Sequence, residues 1–153
     1  MTIEAVLDTS VFVKGFVPPR RKKRDDIYLQ RLALHKKAES LLRKVERGEI
    51  ILHEPLIMLV EVATVVSRLS SSETLSKAAL QFLTQHSRFY SDIYLLDEAI
   101  ELGIQTKMSG FDVLFLACAK ACGAVLITDD LKMYEKAKEI GIKNQLLREI
   151  SSP

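Results

Sequence analysis

A few carboxylates stand where chemistry could use them. Asp8 closes the short apolar run Ala5–Val6–Leu7 and is followed at once by two hydroxyls, Thr9 and Ser10. Asp129 and Asp130 close a second apolar run that ends on Thr128, and Asp112 falls in "SGFD". Each of these has a plain structural use. Asp8 can cap a helix starting at Thr9, and one of Asp129 and Asp130 caps the helix that follows them. Asp112 stands three residues after Ser109, as in a capping box, where a negative charge suits the helix dipole. Glu61 is different. It lies in "PLIMLVEVATVV", the most apolar stretch of the chain, where a carboxylate costs several kcal/mol unless it is paired, hydrogen-bonded or bound to a metal. Its structural alternative is a narrow polar stripe with Thr64 and Arg68. Taken together, acids with few bases nearby in sequence repel one another unless a cation sits among them. Oxygen ligands without Cys or His suit Mg2+ or Mn2+. Such ions act on phosphate esters.

The elements must bring these side chains to one place. "IEAVLD", "EIILHEP" and "AVLIT" read as buried strands, "DIYLL" as a further strand, and "IKNQLLREI" as holding a last one. Helices are expected over "SVFVKGF", ended or interrupted by Gly15 and the Pro18–Pro19 pair, and from Asp25 to about Arg47, stopped by Gly48. Others run from about Leu56 to Leu69, from the "SSSE" cap to about Arg88, and from Asp97 through "DEAIELGIQTK". The last two are "SGFDVLFLACAKACG" and "DDLKMYEKAKEIG". Strands alternating with helices predict right-handed parallel crossovers. The expectation is an α/β fold, a three-layer α/β/α sandwich around a parallel four- or five-stranded sheet, in a single domain over 1–153. In such sheets ligands bind at the carboxyl ends of the strands, which is where Asp8 and the Asp129–Asp130 pair fall.

Composition narrows the class. The chain has 153 residues, 48% apolar and 27% charged, which suits one globular domain and excludes extensive disorder. No apolar run approaches the roughly 20 residues of a spanning helix. The N-terminus lacks a signal-peptide pattern, so a cytoplasmic protein with no membrane partner is expected. Net charge is only +2, but Arg20, Arg21, Lys22, Lys23 and Arg24 form an unbroken basic run. It is either a solvated loop or a patch for nucleic-acid phosphates. Cys118 and Cys122 lie four apart on one helix face. They make neither a disulfide framework nor a zinc site.

"VLDTSVFV", the Glu within an apolar helix and "FDVLFLACAKACGAVLITDD" resemble the PIN domain. More narrowly they resemble the VapC-type ribonuclease toxins of prokaryotic toxin–antitoxin pairs. The resemblance covers nearly the whole chain and is most specific over 111–130. Carried over by position, it places the family's acids on Asp8, Glu61, Asp112 and Asp130 as catalytic and metal-holding residues. It places a supporting hydroxyl on Thr128 and leaves Asp129 at a variable position. It implies Mg2+ or Mn2+, endoribonuclease activity on an RNA substrate, a homodimer and a cognate antitoxin. The span from Asp8 to Glu61 is longer than in a compact toxin of this type. The extra length lies in "VPPRRKKRDDIYLQ" and the helix after it, and RNA binding, an RNA-processing role outside any toxin pair, or dimerisation are open to it.

Other families fit less well. A haloacid-dehalogenase-type phosphatase needs a second Asp two residues after the first, where Ser10 stands. A receiver domain needs an acidic pair after the first strand, and only one acid is there. A PIN-like RNA-binding or scaffold module without catalysis differs from the enzyme in lacking acids that this chain retains.

Overall fold

The first strand, β1 (Ile3–Leu7), is where the architecture begins. Its last three residues, Ala5, Val6 and Leu7, are fully buried, and it is paired in parallel on both edges, with β2 (Ile50–Pro55) and with β4 (Val125–Thr128). A strand covered on both faces and both edges must be apolar throughout, which is why this run lacks alternation. The computed structural model describes residues 1–153. Its sheet has five strands in the order β3–β2–β1–β4–β5, all parallel, with β3 (Ser87–Tyr90) and β5 (Asn144–Leu146) at the edges.

This order reverses at β1. The chain steps one way from β1 to β3, through α1 (Thr9–Phe16), α2 (Asp26–Glu46), α3 (Met58–Ser70) and α4 (Glu73–His86). It then crosses back to β4 and β5 through α5 (Asp92–Thr106), α6 (Gly110–Cys122) and α7 (Leu131–Glu139). Right-handed crossovers in opposite directions put the two helix sets on opposite faces. The packing agrees: α2 lies on α1 and β2, whereas α6 lies on β1, β2 and β4 and is backed by α5. The expected three-layer sandwich is present, and the reversal leaves a crevice beyond the carboxyl ends of β1 and β4. No helix is long and apolar enough to cross a membrane.

Two local expectations need correction. "DIYLL" is the start of α5 and not a strand. Ser91 caps that helix by accepting the N–H of Tyr94, and within this five-residue run only Leu95 is buried, Ile93, Tyr94 and Leu96 being exposed. Exposed apolar residues blurred the helical period and made the run look like a buried strand. The third strand in sequence is instead "SRFY", directly after α4. Gly15 does not end α1 either. A Cβ there would lie 2.9 Å from the Ala38 carbonyl carbon and from Leu42 Cδ1, so the glycine lets α1 and α2 pack backbone to backbone. Gly48 and Gly123, both at positive φ, stop α2 and α6 as expected.

Candidate active site

Asp8 is the residue after β1 and the N-cap of α1 by position, yet its side chain makes no capping bond. Its Oδ2 instead accepts from Thr128 Oγ1 at 2.9 Å and from Ser10 Oγ at 3.2 Å. The capping alternative therefore does not explain this carboxylate. Burial pushes its pKa up. The hydroxyls of Thr128 and Ser10 oppose that rise and the charge of Asp112 adds to it.

Glu61 lies in the first turn of α3, half-buried, and its Oε1 accepts from Thr9 Oγ1 at 3.2 Å. Thr64 and Arg68 are exposed on the same helix, so its hydrogen bond is not to the polar stripe but to the residue after Asp8. Burial raises the Glu61 carboxyl, against the Thr9 hydroxyl and together with the charges of Asp8 and Asp112. Asp112 sits in the first turn of α6, whose cap is Ser109, its hydroxyl 3.4 Å from the Asp112 N–H. Asp8, Glu61 and Asp112 thus come from β1, α3 and α6 into one crevice and repel one another there.

Asp130 is placed differently. Its Oδ1 accepts from the N–H groups of Lys132 and Met133 and caps α7. Its link to Asp8 runs through Thr128, whose hydroxyl accepts the Asp130 N–H at 3.0 Å while donating to Asp8. Thr128, fully buried, therefore orients Asp8 rather than the Asp130 carboxylate. Asp129 is buried and turned the other way, between Lys14 Nζ at 2.7 Å and Arg148 Nε at 3.1 Å. Burial pushes the Asp129 carboxyl up, but these two cations outweigh it and hold the pKa below the usual carboxylate range.

One acid had no place in the sequence reading. Glu54, near the end of β2, is fully buried. Its Oε1 accepts the Leu7 N–H at 2.7 Å, replacing a ladder acceptor just before Asp8, and its Oε2 has no partner. Burial, with the charge of Asp8 added, holds its pKa well above the ordinary value, against the Leu7 N–H. Its signal in the sequence was a carboxylate inside "IILHEPL", an otherwise buried strand.

The donor chemistry suits a hard divalent cation: carboxylate oxygens, hydroxyls, and neither thiolate nor imidazole. The mutual repulsion of Asp8, Glu61 and Asp112 is the kind a cation relieves. The cage is not closed, since no three His, Cys, Asp or Glu side chains already converge as ligands. Of the basic run, Arg20 donates to the Ser70 carbonyl, Arg21 forks onto Asp25, and Arg24 lies over the Tyr28 ring. Lys22 and Lys23 are exposed.

A model of the PIN domain matches residues 5–139. This chain belongs to the PIN domain family. The PIN assignment covers both ends of the crevice, from β1 to α7. Solved structures agree in fold. VapBC2 from Rickettsia felis, bound to a DNA fragment from their promoter, aligns over 94% of this chain and 98% of its own at 16% identity and a TM-score of 0.63. PAE2754 from Pyrobaculum aerophilum aligns over 94% and 90% at 18% identity and 0.59. FitAcB from Neisseria gonorrhoeae aligns over 95% and 99% at 12% identity and 0.59. Likeness at such identities establishes the PIN fold alone. No curated protein matches the chain by sequence.

Proposed function

We propose that this PIN domain, acting as one unit over 1–153, is a metal-dependent endoribonuclease. PIN domains are nucleases, and the observation that carries the finer reading is the uncompensated trio of Asp8, Glu61 and Asp112. These acids gain nothing structural from standing together, and their repulsion is relieved only when positive charge arrives. Asp8, Asp112 and Asp130 would hold Mg2+ or Mn2+, with Glu61 completing the set. When bound, the ion supplies Lewis acidity toward the phosphodiester and the attacking water. Thr128 fixes the orientation of the Asp8 carboxylate. Thr9 holds one oxygen of Glu61 and leaves the other free to accept a hydrogen bond from water. Arg20, Arg21, Lys22, Lys23 and Arg24 supply positive charge for RNA phosphates approaching an acidic crevice. Incubating single-stranded RNA with the purified protein in Mn2+, in Mg2+ and in chelator tests this. Cleavage in either ion and none in chelator is expected; RNA binding without cleavage in both ions would instead favour a non-catalytic RNA-binding or scaffold module.

The partners we propose are a cognate antitoxin and a second copy of this chain. Supporting this, Ile93, Leu96, Ile100 and Ile104 form an exposed apolar stripe along α5, the kind of surface on which proteins associate. The VapBC2 structure is an assembly on promoter DNA. The length between Asp8 and Glu61, folded as the basic loop and the 21-residue α2, supports a second reading: an RNA-processing nuclease outside any toxin pair. Growth arrest on induced expression, relieved by a small protein encoded beside it, separates the two.

A further inference from the structure

Behind the acidic crevice lies a pocket of about 470 Å³ whose composition is the opposite of the crevice's. No acid lines it. Val17, Pro18, Pro19 and Leu69 give it an apolar wall, and Lys14, Arg20, Arg21 and Arg31 bring positive charge to it. These cations are not equally free. Arg21 is forked onto Asp25, Lys14 is bound to Asp129, and Arg20 donates through one Nη to a carbonyl. Arg31, exposed on α2, makes no direct hydrogen bond or ion pair, although its charge is felt by Asp25 nearby.

We infer that this pocket holds one nucleotide of the RNA, its base on the apolar wall and its phosphate on Arg31. The assignment rests on the nuclease reading above. Volume and chemistry both fit: pockets of this size take small organic ligands, a base offers a flat face of low polarity, and a guanidinium with free donors matches a phosphate. The position fits as well. Lys14 is shared between the two sites, lining the pocket and bonding Asp129, which adjoins Thr128, the donor to Asp8. The eight-residue α1 separates Asp8 from the Pro18–Pro19 wall by about 12 Å, a distance that a short run of single-stranded backbone spans. His35 fixes the geometry by donating from Nδ1 to the Lys14 carbonyl at 2.6 Å, which joins α2, and so Arg31, to α1. The pocket therefore sits at a set distance from the acids and would hold a nucleotide flanking the scissile phosphate. A stacked duplex cannot insert a base there, so the pocket would favour single-stranded RNA.

Binding in chelator tests the pocket without cleavage. The probes are a fluorescein-labelled oligouridylate, inorganic polyphosphate and an acidic peptide of Glu and Leu. Arg31→Gln is expected to weaken oligouridylate binding about tenfold and to flatten its salt slope by about 0.7, the value for one phosphate contact on a single strand. Leu69→Ser, an exposed position, is expected to reduce the preference for oligouridylate over polyphosphate. Equal binding of polyphosphate and oligouridylate by the unaltered protein would remove the base from the proposal. Unchanged binding in Arg31→Gln would remove the phosphate. Displacement of oligouridylate by the acidic peptide, with the peptide the tighter ligand, would reassign the pocket to a protein partner. Failure of the unaltered protein to cleave RNA in both Mn2+ and Mg2+ would overturn the nuclease reading by itself and leave the binding result standing as a separate fact.

Discussion

Asp129 and Asp8 follow neighbouring strands of one sheet, and both are buried, yet they lie in opposite electrostatic settings. Asp129 is flanked by Lys14 and Arg148, and its carboxyl is held low. Asp8 has hydroxyl donors but no cation beside it, and faces Asp112, and burial pushes its carboxyl up. The first arrangement is complete within the protein. The second is not, and that difference separates an acid that builds the fold from acids available to a ligand. It also predicts opposite pH signatures. For Asp8 and Glu61, raised in the folded state, the stabilisation is full below the unfolded pKa and is lost as pH rises through the folded value. For Asp129, lowered in the folded state, it is present above the unfolded pKa and lost as pH falls through the folded value.

Replacing Asp8 gives the sharpest break. Asp8→Asn is expected to cut RNA cleavage more than about 100-fold while keeping or raising the melting temperature in chelator, because a buried repulsion is relieved. A clear loss of stability would show Asp8 to be structural, like Asp129. Next is Thr128→Val, which keeps the shape and removes the only strand-borne donor to Asp8 Oδ2. Turnover is expected to fall about 10–100-fold with RNA affinity retained; unchanged turnover would make Thr128 a strand end and nothing more.

The comparison can also be broken from its other side. Lys14→Met leaves Asp129 with Arg148 alone. A cost of about 1–2 kcal/mol at neutral pH is expected by denaturant titration, moderated by the partial exposure of Lys14 and shrinking toward acid as Asp129 protonates. Stability equal to the unaltered protein would show that Arg148 suffices. The smallest effect is expected from Glu54→Gln. Glu54 faces Asp8 and the buried Cys118 thiol, and its raised pKa makes the metal-free protein lose stability as pH rises above the ordinary carboxylate range. The Gln variant should flatten that decline, and melting curves from acid to alkaline pH would show an unchanged slope if Glu54 were ionised at no cost.

The sheet and its parallel sense were legible because buried parallel strands must be apolar throughout and the crossover helices carried clear caps at Ser72 and Ser109. The start of α5 was not, since Ile93 and Leu96 are apolar without being buried, and periodicity reports burial only when the exposed face is polar. At the site, Glu61 stood out in sequence as an acid in apolar surroundings and Asp8 as the end of a buried strand, whereas a capping role explained Asp112 locally and the family resemblance singled it out. The division between Asp129 and Asp130 was hidden: the partner of Asp129 on one side, Lys14, is 115 residues away. Glu54 was passed over because strand-end carboxylates are ordinarily exposed, and only the packed structure shows that this one is not. Arg31 lay outside the basic run and became part of a pocket only when α2 folded against α1.

The hydrogen bond from Thr128 to Asp8 joins residues 120 apart, and it sets an order of assembly. During synthesis β1 emerges first and can pair with β2, but its other edge stays open until β4 leaves the ribosome. At roughly 5–20 residues per second that delay is on the order of ten seconds. Throughout it, Asp8 lacks the donor that orients it and the crevice has only one wall. Until β4 has emerged, a nascent chain therefore lacks the assembled crevice. The same interval leaves a central apolar strand with an unpaired edge, so chaperone dependence should concentrate in the time between β2 and β4.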